Sequence, residues 1–291
     1  MDRVRRCRCS GLRAHRRPGR PFCLRLRLGR DPGTGRGWLR EPGSGLAESW
    51  TTVDGRSVRS LHAGSLTEYP EVVILPGLGA PFYVAPWAEQ IAGWTRVVVL
   101  DLPGWRGGRA RSSPPSVAGL AKAAAGWLTE TGRQGVVLAG HSSGAQSALR
   151  AARLVPERLR GVVLAGPTLA PGARRALPPL RRVVATLARE ELPELSAVIP
   201  SYLRSGGLDL MRLIRSIMRD QPEDATGDLV RPVLVMIGER DRVAPPSWAQ
   251  HLAHLSDAPY LDLPGAHNTC FTFPRNTNAA LQQTITKWAA V

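Results

Sequence analysis

This chain of 291 residues lacks long hydrophobic runs, and it has few cysteines beyond residue 45. No stretch of about 18 uninterrupted apolar residues occurs, so we expect neither a transmembrane helix nor a membrane partner. Three of the four cysteines, Cys7, Cys9 and Cys23, lie in the first 45 residues, and their spacing matches no closed zinc pattern. Cys270 alone cannot form a disulfide within the rest of the chain. Nucleotide loops and metal-ligand clusters are also lacking, so we expect no metal and no other cofactor.

Lysine is almost absent, because 37 of the 39 basic residues are arginines and only Lys122 and Lys287 are lysines. The formal net charge is +16, and residues 1–45 supply +10 of it through 13 arginines against three acidic residues. A basic chain can bind nucleic acid, but no recognition module or aromatic-interleaved basic stripe accompanies this charge. The arginine bias fits a GC-rich genome better, so we expect no nucleic-acid partner.

Residues 1–45 are rich in Arg, Gly and Pro and show no apolar periodicity. Such a composition buries too little surface to offset the entropy of ordering, which predicts a disordered leader. Arginines interrupt its one apolar stretch, so it lacks the apolar core of a secretory signal. Together with the scarcity of cysteine in the body, this favours a cytoplasmic protein.

The most informative pattern is Gly140-His141-Ser142-Ser143-Gly144, which directly follows the apolar run 135–139 and precedes an alanine-rich, helix-forming run. A serine hydroxyl becomes a nucleophile when a base accepts its proton and a sharp strand-to-helix turn holds it exposed. The crowded backbone of such a turn requires glycine on both sides of the serine. We therefore predict Ser142 to be the nucleophile and His141, one residue away, to be structural.

Two later turns carry the partners that such a serine needs, an acid and then a histidine. The strand-like run 232–238 leads to Asp241, and the strand-like run 259–263 leads to His267. Because the carboxyl ends of parallel strands share one edge of an open sheet, both turns are expected to meet the serine there. His267 is predicted to be the base, and Asp241 the acid that orients its imidazole.

These stretches together resemble the α/β-hydrolase superfamily, in its branch with a helical cap, from about residue 49 to residue 291. The motifs that carry the resemblance are Leu75-Pro76-Gly77-Leu78-Gly79, Asp101-Leu102-Pro103-Gly104, the Ser142 turn, Gly166-Pro167-Thr168, Gly238-Glu239-Arg240-Asp241 and Gly265-Ala266-His267. The resemblance implies an α/β fold, with a mostly parallel, doubly wound sheet and a helical cap inserted after the sixth strand. It also implies an oxyanion hole built from the backbone N–H groups of Leu78 and Ser143. The family commonly has His-Gly where this chain has Pro76-Gly77.

The identity of the acid leaves alternatives open. Some members of the family place it after the sixth strand, where this chain has Gly166-Pro167-Thr168-Leu169 and no carboxylate. That difference favours Asp241, while Glu239, two residues earlier, and Asp262 are the alternatives.

The resemblance also suggests how the chain is divided. Residues 46–168 and 229–291 are predicted to form the core and residues 169–228 the cap, with candidate cap helices at 174–189, 192–204 and 208–219. Most apolar cap residues are expected to pack the cap against itself and the core. The cap residues predicted to face a substrate are Val184, Leu187, Ile199, Leu203, Ile214 and Met218.

The expected activity is hydrolysis of a small carboxylic ester or thioester through an acyl-enzyme on Ser142. Dehalogenases and many epoxide hydrolases of this fold use an aspartate nucleophile, so the serine argues against both. One alternative is a C–C bond hydrolase of diketone-like substrates, and another is a ligand-binding protein with a slow, vestigial triad. The expected partner is a small-molecule substrate, and the expected assembly is a monomer or a homodimer.

Overall fold

Eight strands form one sheet in the part of the chain that the structure, a computed structural model, describes: residues 45–105, 110–172 and 202–289. Their spatial order is β1-β2-β4-β3-β5-β6-β7-β8. The strands are β1 (Ala47–Val53), β2 (Arg56–Ala63), β3 (Val72–Leu75), β4 (Val97–Asp101), β5 (Val136–His141), β6 (Leu159–Ala165), β7 (Val233–Gly238) and β8 (Tyr260–Leu263).

The sheet is antiparallel at one edge and parallel elsewhere. β1 and β2 form a hairpin, and β2 pairs antiparallel with β4, whereas all pairs from β4 to β8 are parallel. Asp54 and Gly55 both have positive φ in the hairpin turn, as the favoured two-residue turn requires. Every residue of β3, β4, β5 and β7 is buried, which is typical of parallel strands covered on both faces.

Eight helices are described around the sheet. They are α1 (Ala85–Ile91), α2 (Val117–Glu130), α3 (Ser143–Leu154), α4 (Leu208–Arg219), α5 (Pro222–Thr226), α6 (Pro246–Leu255), α7 (Thr269–Thr272) and α8 (Pro274–Ala289). The apolar residues of α2, α3, α4 and α6 pack on one face of the sheet, and those of α1, α7 and α8 pack on the other. Successive strand residues such as Val72 and Val73 enter opposite clusters, because side chains alternate along a strand.

The mostly parallel, doubly wound fold predicted from the sequence is confirmed. The sequence predicts a helix at 143–154, directly after Ser142, and a cap helix at 208–219, and these are the observed bounds of α3 and α4. The apolar runs 135–139, 232–238 and 259–263 lie within two residues of the bounds of β5, β7 and β8. The sequence also predicts a C-terminal helix at 278–290, and the observed helix α8 begins four residues earlier, at Pro274. Proline is tolerated there because the first helical N–H needs no partner within the helix. The short helices α5 and α7 and the 3₁₀ turns Gly77–Gly79 and Pro81–Val84 were not expected.

The described part of the insertion between β6 and β7 contains the two helices α4 and α5. The candidate helix 174–189 and nearly all of 192–204 lie outside the described residues, as does nearly all of the leader 1–45. The division into core and cap therefore stays a prediction. No helix within the described ranges is both long and apolar enough to cross a membrane.

Candidate active site

Ser142 lies at the sharp turn between β5 and α3. Its backbone has φ 56° and ψ −126°, a strained conformation that side-chain-bearing residues rarely adopt. A Cβ on Gly140 would lie 2.4 Å from the carbonyl oxygen of Gly144, and one on Gly144 would lie 2.0 Å from that of Leu75. The two motif glycines are therefore required by close backbone packing, and the Ser142 side chain is left partly exposed.

The three side chains singled out by the sequence lie in one hydrogen-bonded row. His267 Nε2 is 2.8 Å from Ser142 Oγ, and His267 Nδ1 is 2.8 Å from Asp241 Oδ2. His267 and Asp241 are both buried. The turns after β5, β7 and β8 deliver these residues to the same edge of the sheet, because all three strands run parallel. The hydroxyl and the carboxylate thus contact opposite nitrogens of one imidazole.

Asp241 is fixed by its own turn as well as by His267. Its Oδ1 accepts hydrogen bonds from the N–H groups of Val243, at 2.8 Å, and Ala244, at 2.9 Å. Burial by itself raises the pKa of Asp241, but the charge of His267 and the hydrogen bonds from His267, Ala244 and Val243 outweigh it and lower this pKa overall. The carboxylate is therefore held in its ionised form against the imidazole.

The other two candidate acids lie elsewhere. The Glu239 side chain is 59% exposed and its nearest ionic partner is Arg240, at 3.9 Å. Asp262 accepts a hydrogen bond from the hydroxyl of Tyr260. Of the three candidates, Asp241 is the one whose carboxylate contacts the ring of His267.

The turn Gly77–Gly79 brings the backbone of Leu78 beside the serine. Leu78 has φ 46° and ψ 23°, and its N–H donates to the side-chain hydroxyl of Ser143 at 2.9 Å. Its carbonyl accepts a hydrogen bond from the indole of Trp105 at 2.6 Å. Ser143 is the first residue of α3, so its own backbone N–H has no partner within the helix. The two predicted oxyanion donors therefore lie next to each other.

Sequence reasoning missed several side chains that support this arrangement. Tyr83 contacts Gly77 and His141, His141 contacts the backbone of His267, and Trp105 contacts Leu78. These contacts join residues on separate elements, so no local pattern in the sequence predicts them. The nearest signal was the position of His141, which the sequence placed beside the serine but not in contact with its hydroxyl.

The predicted substrate-facing residues divide into two groups. Val184, Leu187 and Ile199 lie outside the described residues. Leu203 is 80% exposed, Ile214 is buried and Met218 is partly buried on α4. No described contact joins any of these three side chains to the Ser142 hydroxyl, so their role in binding stays a prediction.

Helix α4 packs against the elements that flank the serine. Its Leu213 and Ile217 are buried in the apolar cluster that also contains α2 and α3, and Leu78 packs against the same cluster. The Ser216 hydroxyl accepts the backbone N–H of Val117 at 3.0 Å. The described part of the insertion is thus attached to the helices that flank the site.

Side chains of the types that bind metals do not cluster in the described part of the chain. Among residues 45–105, 110–172 and 202–289, no group of three or more His, Cys, Asp or Glu side chains is arranged to hold a metal ion.

Comparison with known proteins agrees with this geometry. The model of the alpha/beta hydrolase family matches residues 72–280, which is more than half of the chain, and the protein belongs to this family. No curated protein matches its sequence significantly.

Several solved structures share the fold. A thermophilic esterase from Thermogutta terrifontis aligns with a TM-score of 0.60 at 20% identity, covering 84% of this chain and 99% of that one. The enol-lactonase from Burkholderia xenovorans LB400 gives 0.64 at 17% identity, covering 84% and 100%. The N-formylmaleamic acid deformylase from Pseudomonas putida S16 gives 0.65 at 16% identity, covering 81% and 100%. At such identities the likeness establishes the fold alone.

Proposed function

We propose that this protein is a serine hydrolase that cleaves a small carboxylic ester or thioester through an acyl-enzyme on Ser142. The observation that carries the proposal is the row Ser142 Oγ, His267 and Asp241, with both hydrogen bonds at 2.8 Å. Family membership supports a hydrolase in general. The ester or thioester bond is the finer step, and it rests on the serine nucleophile and the paired backbone donors.

The proposed reaction begins with attack of Ser142 Oγ on the substrate carbonyl carbon while His267 Nε2 accepts the hydroxyl proton. Asp241 holds Nδ1 protonated and stabilises the imidazolium that forms. His267 then returns the proton to the leaving alcohol or thiol as the carbon–heteroatom bond breaks. Water attacks the acyl-enzyme with His267 again as the base, which releases the carboxylic acid and regenerates the serine.

The negative charge on the tetrahedral intermediate requires preorganised donors. In the proposal, these are the backbone N–H groups of Ser143 and Leu78. The Leu78 N–H already donates to the Ser143 hydroxyl, so this hydroxyl keeps the donor oriented until a substrate oxygen competes for it. A cytoplasmic location, a monomeric or homodimeric state and a pocket lined by the insertion belong to the same proposal and rest on the sequence.

Turnover of p-nitrophenyl acetate, with mass spectrometry of the intact protein, tests the proposal. We expect an acetyl adduct on Ser142 in the native protein and loss of turnover by a factor on the order of 10⁴ or more in Ser142→Ala. Ser147→Ala is the matched control, since Ser147 lies on α3, the helix that follows Ser142, and its buried hydroxyl has no hydrogen-bond partner among the described residues.

A panel of acyl esters, thioesters and diketone-like compounds then separates the possible reactions. Faster turnover of esters or thioesters with a detectable acyl adduct supports the proposal. Cleavage of the diketones alone would instead favour a C–C bond hydrolase. Binding of these compounds without turnover by the native protein would favour a ligand-binding role.

A further inference from the structure

A chain of buried hydrogen bonds passes behind the Ser142 turn. The N–H of Gly77 donates to Tyr83 Oη at 2.5 Å, and Tyr83 Oη lies 2.6 Å from His141 Nδ1. At the other side of the ring, His141 Nε2 lies 3.0 Å from the backbone carbonyl oxygen of His267. Tyr83 is 4% exposed and His141 is 0% exposed, so these hydrogen bonds are buried.

The direction of each hydrogen bond follows from its partners. A carbonyl oxygen only accepts, so His141 Nε2 carries the hydrogen that contacts His267. Burial, reinforced by the nearby charge of His267, lowers the pKa of His141 to about 3, so the ring is neutral near pH 7. Nδ1 is then an acceptor for the Tyr83 O–H, while the Tyr83 oxygen accepts the Gly77 N–H. Each polar group in this series of hydrogen bonds therefore has a partner.

These hydrogen bonds join two loops that follow non-adjacent strands of the sheet. Gly77 follows β3 and opens the turn that carries Leu78, whereas His267 follows β8, and β5, β6 and β7 lie between those two strands. Packing is close at the Gly77 end, where a Cβ would lie 2.8 Å from both Ser142 Cβ and Tyr83 Oη. A shift of either loop would therefore break a buried hydrogen bond.

We propose that Tyr83 and His141 are positioning residues, which hold the Leu78 turn at a fixed placement relative to His267 without contacting the substrate. The proposal rests on the function proposed above, in which Leu78 supplies an oxyanion donor and His267 is the base. Oxyanion donors act only when their geometry is set before the reaction. Removing the Tyr83 hydroxyl leaves the Gly77 N–H and His141 Nδ1 buried without a partner, which favours displacement of the turn.

The first experiment compares Tyr83→Phe with Tyr260→Phe. Both changes remove the hydroxyl of a buried tyrosine, but the Tyr260 hydroxyl donates to Asp262 on β8 rather than to the Leu78 turn. We expect Tyr83→Phe to lower kcat and the rate of Ser142 labelling by a small phosphonate about 10- to 100-fold, with KM changed less than about threefold. Unchanged kcat and labelling in Tyr83→Phe, or equal losses in Tyr260→Phe, would overturn the proposal.

A second comparison tests His141 by conservative rescue. The amide of His141→Gln can still donate to the His267 carbonyl and accept from Tyr83, whereas His141→Leu can do neither. We expect the glutamine variant to keep a kcat at least about tenfold above that of the leucine variant, since one oxyanion donor is worth more than that. Equal rates in the two variants would contradict the assignment.

Amide hydrogen exchange gives a readout that does not depend on hydrolysis. In Tyr83→Phe, we expect faster exchange in the peptide that contains Gly77 and also in the peptide that contains His267, with neither change in Tyr260→Phe. Unaltered exchange in both peptides would overturn the positioning role even if the native protein proved inactive. Suppose that Tyr83→Phe speeds exchange in both peptides but Ser142 of the native protein is not labelled. That result would contradict only the proposed hydrolase function.

Discussion

At the scale of single residues, Asp241 combines three hydrogen bonds on one buried carboxylate. Two backbone N–H groups fix its Oδ1, and the imidazole of His267 contacts its Oδ2. Because each oxygen has its own donors, the carboxylate cannot rotate without losing a hydrogen bond. The orientation of the imidazole is therefore set by the backbone turn that carries Asp241.

Asp241→Asn tests this arrangement with almost no change in side-chain volume. The amide can present an N–H to His267, which favours the tautomer with the proton on Nε2 and so removes the acceptor for the Ser142 hydroxyl. We expect kcat to fall by roughly 10⁴, the size of the effect known for the same change in a serine protease. Glu239→Gln, at an exposed carboxylate, is the control, and a loss within about tenfold in Asp241→Asn would contradict the role of the acid.

The sequence predicts Asp241 as the acid but does not predict the hydrogen bonds that Tyr83 and His141 make. The strand-like run that became β7 and the turn with Asp241 after it are local features that a sequence shows. The same turn also carries Glu239, so the sequence left Glu239 and Asp262 open as alternatives. Tyr83 and His141, by contrast, are 58 residues apart, and their contact depends on how the 3₁₀ turn Pro81–Val84 packs against β5. No periodicity or motif in one sequence encodes such a contact.

At the scale of elements, α4 is attached to the core at both ends. Arg111 contacts Asp209 at 3.1 Å and the carbonyl of Ser205 at 2.6 Å, and Arg150 contacts Asp220 at 3.0 Å. The Arg111 guanidinium also lies over the ring of Trp105, 5.1 Å from its centroid. Since Trp105 donates to the carbonyl of Leu78, the start of α4 is linked to the turn that carries Leu78.

Arg111→Met tests whether α4 controls specificity. Methionine keeps an apolar contact with Trp105 but loses the ion pair with Asp209, so α4 should shift while the turn that carries Leu78 stays in place. We expect the ratio of kcat/KM for hexanoate and acetate esters to change about threefold or more, because discrimination depends on pocket contacts. The rate of phosphonate labelling should change less. Arg212→Met, which removes the exposed second partner of Asp209, is the control, and an unchanged ratio in Arg111→Met would count against the idea.

Whether the sequence predicts a helix depends on the length of the helix. The runs that became α3 and α4 are long and strongly patterned, whereas α5 and α7 contain five and four residues. A segment that short forms a helix only because tertiary packing holds it. The 3₁₀ turn at Gly77–Gly79 is likewise set by side chains from elsewhere, namely Tyr83, Trp105 and Ser143.

At the scale of the whole molecule, the shifted pKa values in the described residues all have the same effect on the pH dependence of stability. The pKa values of His62, His141, Asp209 and Asp241 are all lowered. Each of these groups therefore binds its proton more weakly in the folded than in the unfolded protein. Acid thus favours the unfolded state, first through the histidines and then, below about pH 4, through the carboxylates.

Of the two histidines, His141 should contribute more to the loss of stability as the pH falls. Burial is the main reason that its pKa falls to about 3, from the ordinary histidine value of 6.5. Between those two values the unfolded chain holds the proton and the folded protein does not, so stability is lost as the pH falls. The free energy of unfolding should then decrease by up to about 1.4 kcal/mol per pH unit from this one residue.

Urea unfolding at pH 7.5, 6.5, 5.5 and 4.5 measures this slope directly. In His141→Gln the proton-binding group is gone, so we expect the free energy of unfolding to depend less steeply on pH than in the native protein, by about 1 kcal/mol per unit below pH 6. The comparison concerns the slope, so a lower overall stability of the variant does not obscure it. His254→Gln, which replaces an exposed histidine on α6, is the control. Equal slopes in the native protein and His141→Gln would mean that the buried ring accepts a proton in the folded state, and the neutral hydrogen-bond chain from Gly77 to His267 would then be wrong.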